Sequence, residues 1–289
     1  MTTTSLETLS NSRTPGLLDA RRQDELDPLS NIGDLFDLPP DLVYLDGNSL
    51  GAMPAVVPEK IQEAVTEGWR TGLIRSWNDR DWHILPLTLG DRLAPLMGAN
   101  AGEVLVVDST SINLFKTLSA ALELRPDRTE IVSERYNFPS DLHIIQGAIT
   151  HFYPQHRLVE GKESDDSIVE LIGPSTAVVT LTQVSYRTGL IRDMERITKE
   201  AHRAGALVIW DLAHTLGAVP VDLNVANVDF AVGCTYKYLN GGPGSPALLY
   251  VNAARTELRN PLRGWLGSDD PMAFSFDAGP AEGAPRFLT

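Results

Sequence analysis

The amino-acid sequence predicts an α/β fold with a mostly parallel sheet and helices on both faces. Three observations predict it. The chain has 289 residues, 43 % of them hydrophobic, enough for one large α/β domain with a full core. Its apolar runs are short and continuous, as in EVLVVD (103–108), TAVVTLT (176–182) and ALVIWD (206–211). Strands buried on both faces read that way. Between these runs lie stretches of helical period, and such alternation is the grammar of parallel sheets covered by helices.

The elements follow in order. Residues 1–30 are polar and aperiodic and read as an N-terminal arm. VYLDGNSLG (43–51) is a short apolar run ended by Asp, Gly and Asn, a strand or an extended lead-in. Pro54 and Pro58 introduce a helical pattern carried by Ile61, Ala64, Val65, Gly68 and Trp69. The strand at 103–108 runs into a helix whose Ile112, Phe115, Leu118 and Leu122 share one face. TEIVSE (129–134) is strand-like, and a helix follows the turn NFPSD. After the strand at 176–182, MERITKEAHRAG (194–205) is an amphipathic helix stopped by Gly205. ALVIWD, VDFAVG (228–233) and PALLYV (246–251) complete the strands. From about residue 260 the chain is rich in Gly, Pro and Asp and shows no closed pattern. The expected division is a polar arm at 1–30, a large domain at 31–270, and a connecting segment at 271–289.

Composition narrows the functions. The formal net charge is -14 and no basic run is present, which argues against nucleic acid and anionic membranes as partners. No apolar stretch reaches the roughly 18 residues of a membrane span. The N-terminus, MTTTSLETLSNSRT, lacks a basic start followed by an apolar core and so is not a secretory signal. The single cysteine, Cys234, forbids an internal disulfide and reads as a small buried apolar side chain, in keeping with a cytoplasmic protein. No metal-ligand spacing stands out.

Ligands of open parallel sheets bind beyond the carboxyl ends of the strands. There the sequence places Asp108, Ser109, Thr110 and Ser111 at a helix start, then Thr182, Asp211 with His214, and Tyr236 with Lys237. Hydroxyls and free N–H groups at a helix start make an anion seat, although ordinary capping accounts for them equally. Lys237 is the only charged residue between Asp229 and Arg255. A lysine ending an apolar strand has its neutral, nucleophilic form favoured. A carboxylate ending another needs a partner. Lysine, aspartate and an anion seat together are what pyridoxal 5'-phosphate requires: an amine to form an imine with its aldehyde, an acid to keep its pyridine nitrogen protonated, and a cradle for its phosphate. A structural Asp–Lys ion pair is the alternative.

YLDGNSLG (44–51), GLIRSW (72–77), TSINLFK (110–116), NFPSD (137–141), WDLAHTLGAVPVDL (210–223) and GCTYKYLNGGPGS (233–245) closely resemble the kynureninase family. That family belongs to the fold type I, aspartate aminotransferase-like pyridoxal phosphate enzymes. The segments fall in family order and cover most of residues 40–270. WDLAH alone is shared with cysteine desulfurases and class V aminotransferases. The resemblance implies hydrolysis of L-kynurenine, or 3-hydroxykynurenine, to the anthranilate and L-alanine, within tryptophan catabolism and the kynurenine route that feeds NAD biosynthesis. It assigns Lys237 as the Schiff-base lysine, Asp211 as the partner of the pyridine nitrogen, and His214 as its neighbour. Thr110 and Ser111 match the phosphate seat. Phe138 matches the residue stacked on the ring, with Pro139, Ser140 and Asp141 completing its loop. Thr182 and Tyr236 match further cofactor contacts, and Tyr236 a proton donor late in the reaction. Trp265 matches a tryptophan reaching the cofactor across the interface of a homodimer with shared active sites.

The family extends through a small C-terminal domain with an arginine that clamps the substrate carboxylate. This chain ends at RFLT, before that residue, and Arg75 and Arg192 are not convincing replacements. Two other readings therefore stay open. One is another fold type I enzyme, although a desulfurase needs a cysteine on a mobile loop and Cys234 ends a strand. The other is a cofactor-binding fragment that needs a second chain. Trp77 is a candidate wall of an aryl pocket, and turn chemistry accounts for Asn48 and Ser49.

Overall fold

Why the strands form one layer is visible in β5 (Leu207–Asp211), where every residue is buried. Val208 and Trp210 join one apolar cluster and Leu207 and Ile209 the other, so the strand needs cover on both faces. The computed structural model describes residues 16–289; the arm expected at 1–15 lies outside the described residues. The sheet has seven strands: β1 (Val104–Val106), β2 (Glu130–Glu134), β3 (Arg157–Gly161), β4 (Thr176–Thr182), β5, β6 (Phe230–Gly233) and β7 (Leu248–Val251). Their order is β1-β7-β6-β5-β4-β2-β3. The pairs β2–β3, β2–β4, β4–β5 and β5–β6 are parallel; β7 runs antiparallel to both β6 and β1. Every strand but β7 therefore ends on the same edge.

Among the described residues the eight α-helices are α1 (Leu17–Leu26), α2 (Val57–Glu63), α3 (Ser76–Asp79), α4 (Leu85–Leu93), α5 (Thr110–Glu123), α6 (Pro139–His151), α7 (Asp165–Leu171) and α8 (Met194–Ala204). α5 and α6 bury Leu114, Leu118, Ile145 and Ala148 on one face of the sheet. α7 and α8 bury Ile168, Met194, Ile197 and Ala201 on the other. The opposite faces follow from handedness. α6 carries the chain outward from β2 to β3, while α7 and α8 carry it back toward β5. A right-handed crossover changes face when it changes direction. The reversal opens a crevice between the carboxyl ends of β2 and β4, where open α/β sheets bind ligands.

The expected sheet and its flanking helices are borne out, and several details differ. Residues 17–26, read as part of an aperiodic arm, form α1, but no residue of it is buried. VYLDGNSLG pairs with no strand; its 46–51 part turns back, with Ser49 N and Leu50 N both donating to Asp46 O. The helix introduced by Pro58 divides into α2 and a wider π-helical stretch, Ala64–Gly72. α4, β3 and α7 lack the apolar signature that marks the core elements. β3 is an edge strand in which Arg157 and Glu160 are both exposed, one on each face. The segment after 260 holds only short 3₁₀ turns.

Candidate functional site

The carboxyl edge collects the chemistry-bearing residues into one cavity of about 170 Å³. It is lined by Ser109, Thr110 and Ser111 from the start of α5, Phe138, Ser140 and Asp141 from the start of α6, Asp211 and His214 after β5, and Tyr236 and Lys237 after β6. Each comes from a loop that leaves a strand at this edge, so no long-range folding of a loop is needed to bring them together.

The start of α5 faces the cavity. Ser109 caps the helix by accepting from Ile112 N at 3.3 Å. The next turn closes with Asn113 N donating to Ser109 O at 2.9 Å. Thr110 and Ser111, the first two helical residues, have no intrahelical acceptor for their N–H groups. Two free N–H groups, two hydroxyls and the positive end of the helix form a seat for an anion.

Lys237 Nζ lies 2.6 Å from His214 Nε2 and 5.4 Å from the Phe138 ring centroid. Burial lowers the lysine's pKa, partly offset by Cys234, Asp211 and Asp141. Burial, and then the lysine's charge, push His214 down to about 4, so at neutral pH its ring is uncharged. Asp211 closes β5 and is 3 % exposed. Its Oδ1 accepts from Ala213 N at 2.8 Å, and Thr182 Oγ1 lies 3.4 Å from its Oδ2. Burial raises its pKa to about 6 against these hydrogen bonds and the pull of Lys237. Asp141 is also buried; burial and the neighbouring Asp211 hold it well above the usual carboxylate range.

Phe138 is held in place from two sides. Its N–H donates to Asn137 Oδ1 at 2.7 Å, and its ring meets the edge of Tyr186 at 5.2 Å and His214 at 6.0 Å. Pro139 is the first residue of α6, where its missing N–H costs nothing. Thr182 is buried at the end of β4, and its Oγ1 bonds Asn137 Oδ1 at 2.5 Å, tying β4 to the loop after β2 across the crevice. Asp141 Oδ2 and His214 Nδ1 are buried without a hydrogen-bond partner. Such atoms call for a group that is not part of the described chain.

A planar ligand with an anionic arm, a basic ring nitrogen and a carbonyl carbon matches this arrangement. Its arm would meet the start of α5, its ring Phe138, its nitrogen Asp211 and its carbonyl Lys237. Of the expected residues, Pro139, Thr182 and Trp265 do not line the cavity; Pro139 and Thr182 adjoin it in the chain or by hydrogen bond, and Trp265 does neither. It is 41 % exposed, stacks on Phe274 at 5.3 Å and meets Trp77 edge-on at 6.0 Å. Trp77 thus packs against Trp265. Arg75 bonds the carbonyls of Thr71 and Gly72 in its own turn. Arg192 is buried against Glu134 and Asp165. Neither is free to clamp a carboxylate. Cys234 is buried, and its thiol is pushed up by that burial.

Four residues of the site escaped sequence reasoning. Asn137 and Tyr186 support Phe138. Gly51 N donates to Tyr236 O at 2.8 Å, and Asn240 Nδ2 donates to Ala52 O at 2.7 Å, so the YLDGNSLG turn docks on the backbone of the lysine loop. The glycine that ends YLDGNSLG and the asparagine of YLNGG were the only sequence signals of that contact.

A family model described as Aminotransferase class-V matches residues 43–270. The chain belongs to that family. A kynureninase of Burkholderia pseudomallei (strain K96243) is 49 % identical over 270 residues, which are 92 % of this chain and 65 % of that protein. A kynureninase of Pseudomonas fluorescens is 47 % identical over the same shares. The chain therefore spans 65 % of the length of these curated relatives. Among solved structures, the apo cysteine desulfurase of Thermococcus onnurineus NA1 superposes with TM-score 0.74 at 21 % identity, covering 90 % of this chain and 66 % of that one. The cysteine desulfurase CsdA of Escherichia coli gives 0.70 at 21 % identity with the same coverage. At that identity the likeness speaks for the class-V fold and no further. Among the described residues, no helix is long and apolar enough to cross a membrane.

Proposed function

We propose that this chain binds pyridoxal 5'-phosphate through Lys237 and forms the cofactor-binding part, residues 31–270, of a kynureninase. One observation carries the reading. A buried lysine amine, a buried carboxylate and an unfilled helix start share one cavity with an aromatic ring between them. The names of the relatives at 47 to 49 % identity support the reaction: L-kynurenine or its 3-hydroxy form plus water give the anthranilate and L-alanine. The expected homodimer and cytoplasmic location belong to the same proposal, with Trp265 reaching the partner's site.

Pyridoxal phosphate supplies an aldehyde that captures amines and a ring that withdraws electrons from the substrate carbon next to nitrogen. The chain's residues do the rest. Lys237, its ammonium disfavoured by burial, provides the attacking amine and then moves a proton at the substrate carbon. Neutral His214 accepts a hydrogen bond from that amine and adds no positive charge beside it. Asp211, buried at the floor, becomes an ion once a cationic ring nitrogen faces it. Phe138 holds the ring's plane, and the start of α5 holds its anion. The Tyr236 hydroxyl, pushed up by burial, keeps its proton at neutral pH and is placed to donate it.

The rival within the fold, a cysteine desulfurase, gains nothing from Cys234, whose thiol is buried and poorly ionised. The test uses the chain itself. Pyridoxal phosphate is added, borohydride reduces the bond, and the labelled peptide is mapped. Label on Lys237, lost in Lys237→Ala with its fold intact, is expected. Label elsewhere, or none, overturns the proposal. Product analysis with kynurenine and with cysteine then separates the two reactions.

A further inference from the structure

We propose that Lys116 is a positioning residue for the anion seat, acting by cancelling the charge of Asp108. The inference rests on the cofactor reading above and concerns the phosphate end of the same site. Lys116 and Lys237 are the two buried lysines among the described residues, and Lys116 is the deeper, with no exposed surface. Its Nζ pairs with the Asp108 carboxylate and donates to Phe287 O at 2.7 Å.

The place of Asp108 gives this pair its meaning. Asp108 joins β1 to α5 and lies two residues before Thr110, the first residue of the helix. Its φ is 51°, a left-handed conformation uncommon outside glycine. The backbone on both sides is fixed. Asp108 O accepts from Ala247 N at 2.9 Å, and Asn113 Nδ2 donates to Val107 O at 2.9 Å. The Asp108 backbone is therefore fixed two residues ahead of the helix start that has to take a phosphate, while its carboxylate is turned to Lys116 and, at 3.5 Å, to Thr289 Oγ1. Left alone the carboxylate would repel a dianion there and compete for the same N–H groups. Lys116, two turns along the helix, draws that carboxylate to itself and neutralises it.

The bond to Phe287 O calls for a donor there but not for a charge. A neutral side chain of similar volume in place of a buried ion pair is often neutral or stabilising. The charge is explained if its function is electrostatic and directed at the seat. The signature is selectivity between vitamers: the phosphate-bearing form feels the uncancelled carboxylate, and pyridoxal, which lacks the phosphate, does not.

The test is an absorbance titration of the full 289-residue chain with pyridoxal phosphate and, separately, pyridoxal. It compares wild type with Lys116→Met, Asp108→Asn and the double variant. Lys116→Met is expected to raise the Kd for pyridoxal phosphate about tenfold and that for pyridoxal less than about twofold. Asp108→Asn leaves phosphate binding unchanged or tighter, and the double variant returns to within about threefold of wild type. Equal weakening of both vitamers by Lys116→Met, or a double variant as weak as Lys116→Met, overturns the inference. If Lys116→Met does not fold, Asp108→Asn decides: a selective loss of the phosphate form refutes the proposal, and unchanged or tighter binding upholds it. Wild type that binds neither vitamer refutes the cofactor reading itself, a result distinct from wild-type binding without vitamer selectivity in the variants.

Discussion

Lys237 Nζ and His214 Nε2 stand 2.6 Å apart in a cavity that Asp211 also lines. The burial that brings them together shifts their neighbours in opposite senses, and the shifts can be read as stability. His214 titrates near 4 in the folded chain against an ordinary 6.5. Between those values the unfolded chain holds a proton that the native chain lacks, so this group costs stability as pH falls. Asp211 titrates near 6 against 3.8, so between those values the native chain holds the extra proton and gains stability as pH falls. The two slopes oppose each other. Without cofactor, His214→Asn is expected to gain stability relative to wild type on going from pH 7 to 5, and Asp211→Asn to lose it. Thermal midpoints of the three proteins at both pH values check this; slopes that move the same way would contradict the assignment.

The docking of Gly51 on the lysine loop makes a second prediction. A Cβ at Gly51 would lie 2.1 Å from Lys237 O and 2.8 Å from Asn240 Nδ2. The nearest atom is backbone, so the loop itself must move. Gly51→Ala should cost about 1–3 kcal/mol, the usual penalty of overpacking, and weaken cofactor capture by Lys237. Urea unfolding and a pyridoxal phosphate titration measure the two effects. A variant as stable as wild type would show that the turn is not clamped here.

Thr182 gives a third. Its hydroxyl bonds Asn137 and helps keep the Asp211 pKa down. Thr182→Val keeps the shape and removes that help, so a smaller fraction of Asp211 is ionised near neutrality. Loss of one buried hydrogen bond predicts about 1 kcal/mol of destabilisation. Cofactor affinity should also fall more at pH 6.5 than at pH 8. A penalty independent of pH would separate Thr182 from the charge of Asp211.

What the sequence disclosed and what it hid divide along physical lines. β4 and β5 are buried along their whole length, so their apolar runs and the residues that end them, Thr182 and Asp211, stand out by hydrophobicity alone. Lys237 stands out because no other charge lies near it in the chain. β3 escapes because an edge strand can carry Arg157 and Glu160. Gly51, Asn137 and Tyr186 escape because their roles depend on contacts between distant loops: Gly51 with Tyr236, Asn137 with Thr182, and Tyr186 with His214. Short-range pattern carries no signal for such pairs. Trp265 is legible as an aromatic anchor, and within one chain its partners are Trp77 and Phe274.

The opposite edge of the sheet supplies the control for all of these. Asp229 precedes β6 at its amino end, is fully buried, and serves three donors: Val208 N at 2.8 Å, His202 Nε2 at 2.8 Å and Arg255 Nε at 2.6 Å. It ties the starts of β5 and β6 to the end of α8 and to the loop after β7. Asp229→Ala leaves the Arg255 guanidinium without its partner and a buried N–H without an acceptor. Breaking a buried pair in this way costs about 3–5 kcal/mol. Asp229→Asn keeps an acceptor and should cost less. Because Asp229 lies at the strand starts and the cavity at the strand ends, the folded fraction of either variant should bind pyridoxal phosphate with the wild-type Kd. Denaturant unfolding gives the stability loss, and titration under native conditions gives the affinity. A large change in affinity at full folding would mean that the two edges are coupled through the sheet, and the separation of scaffold from site argued from the strand directions would be wrong.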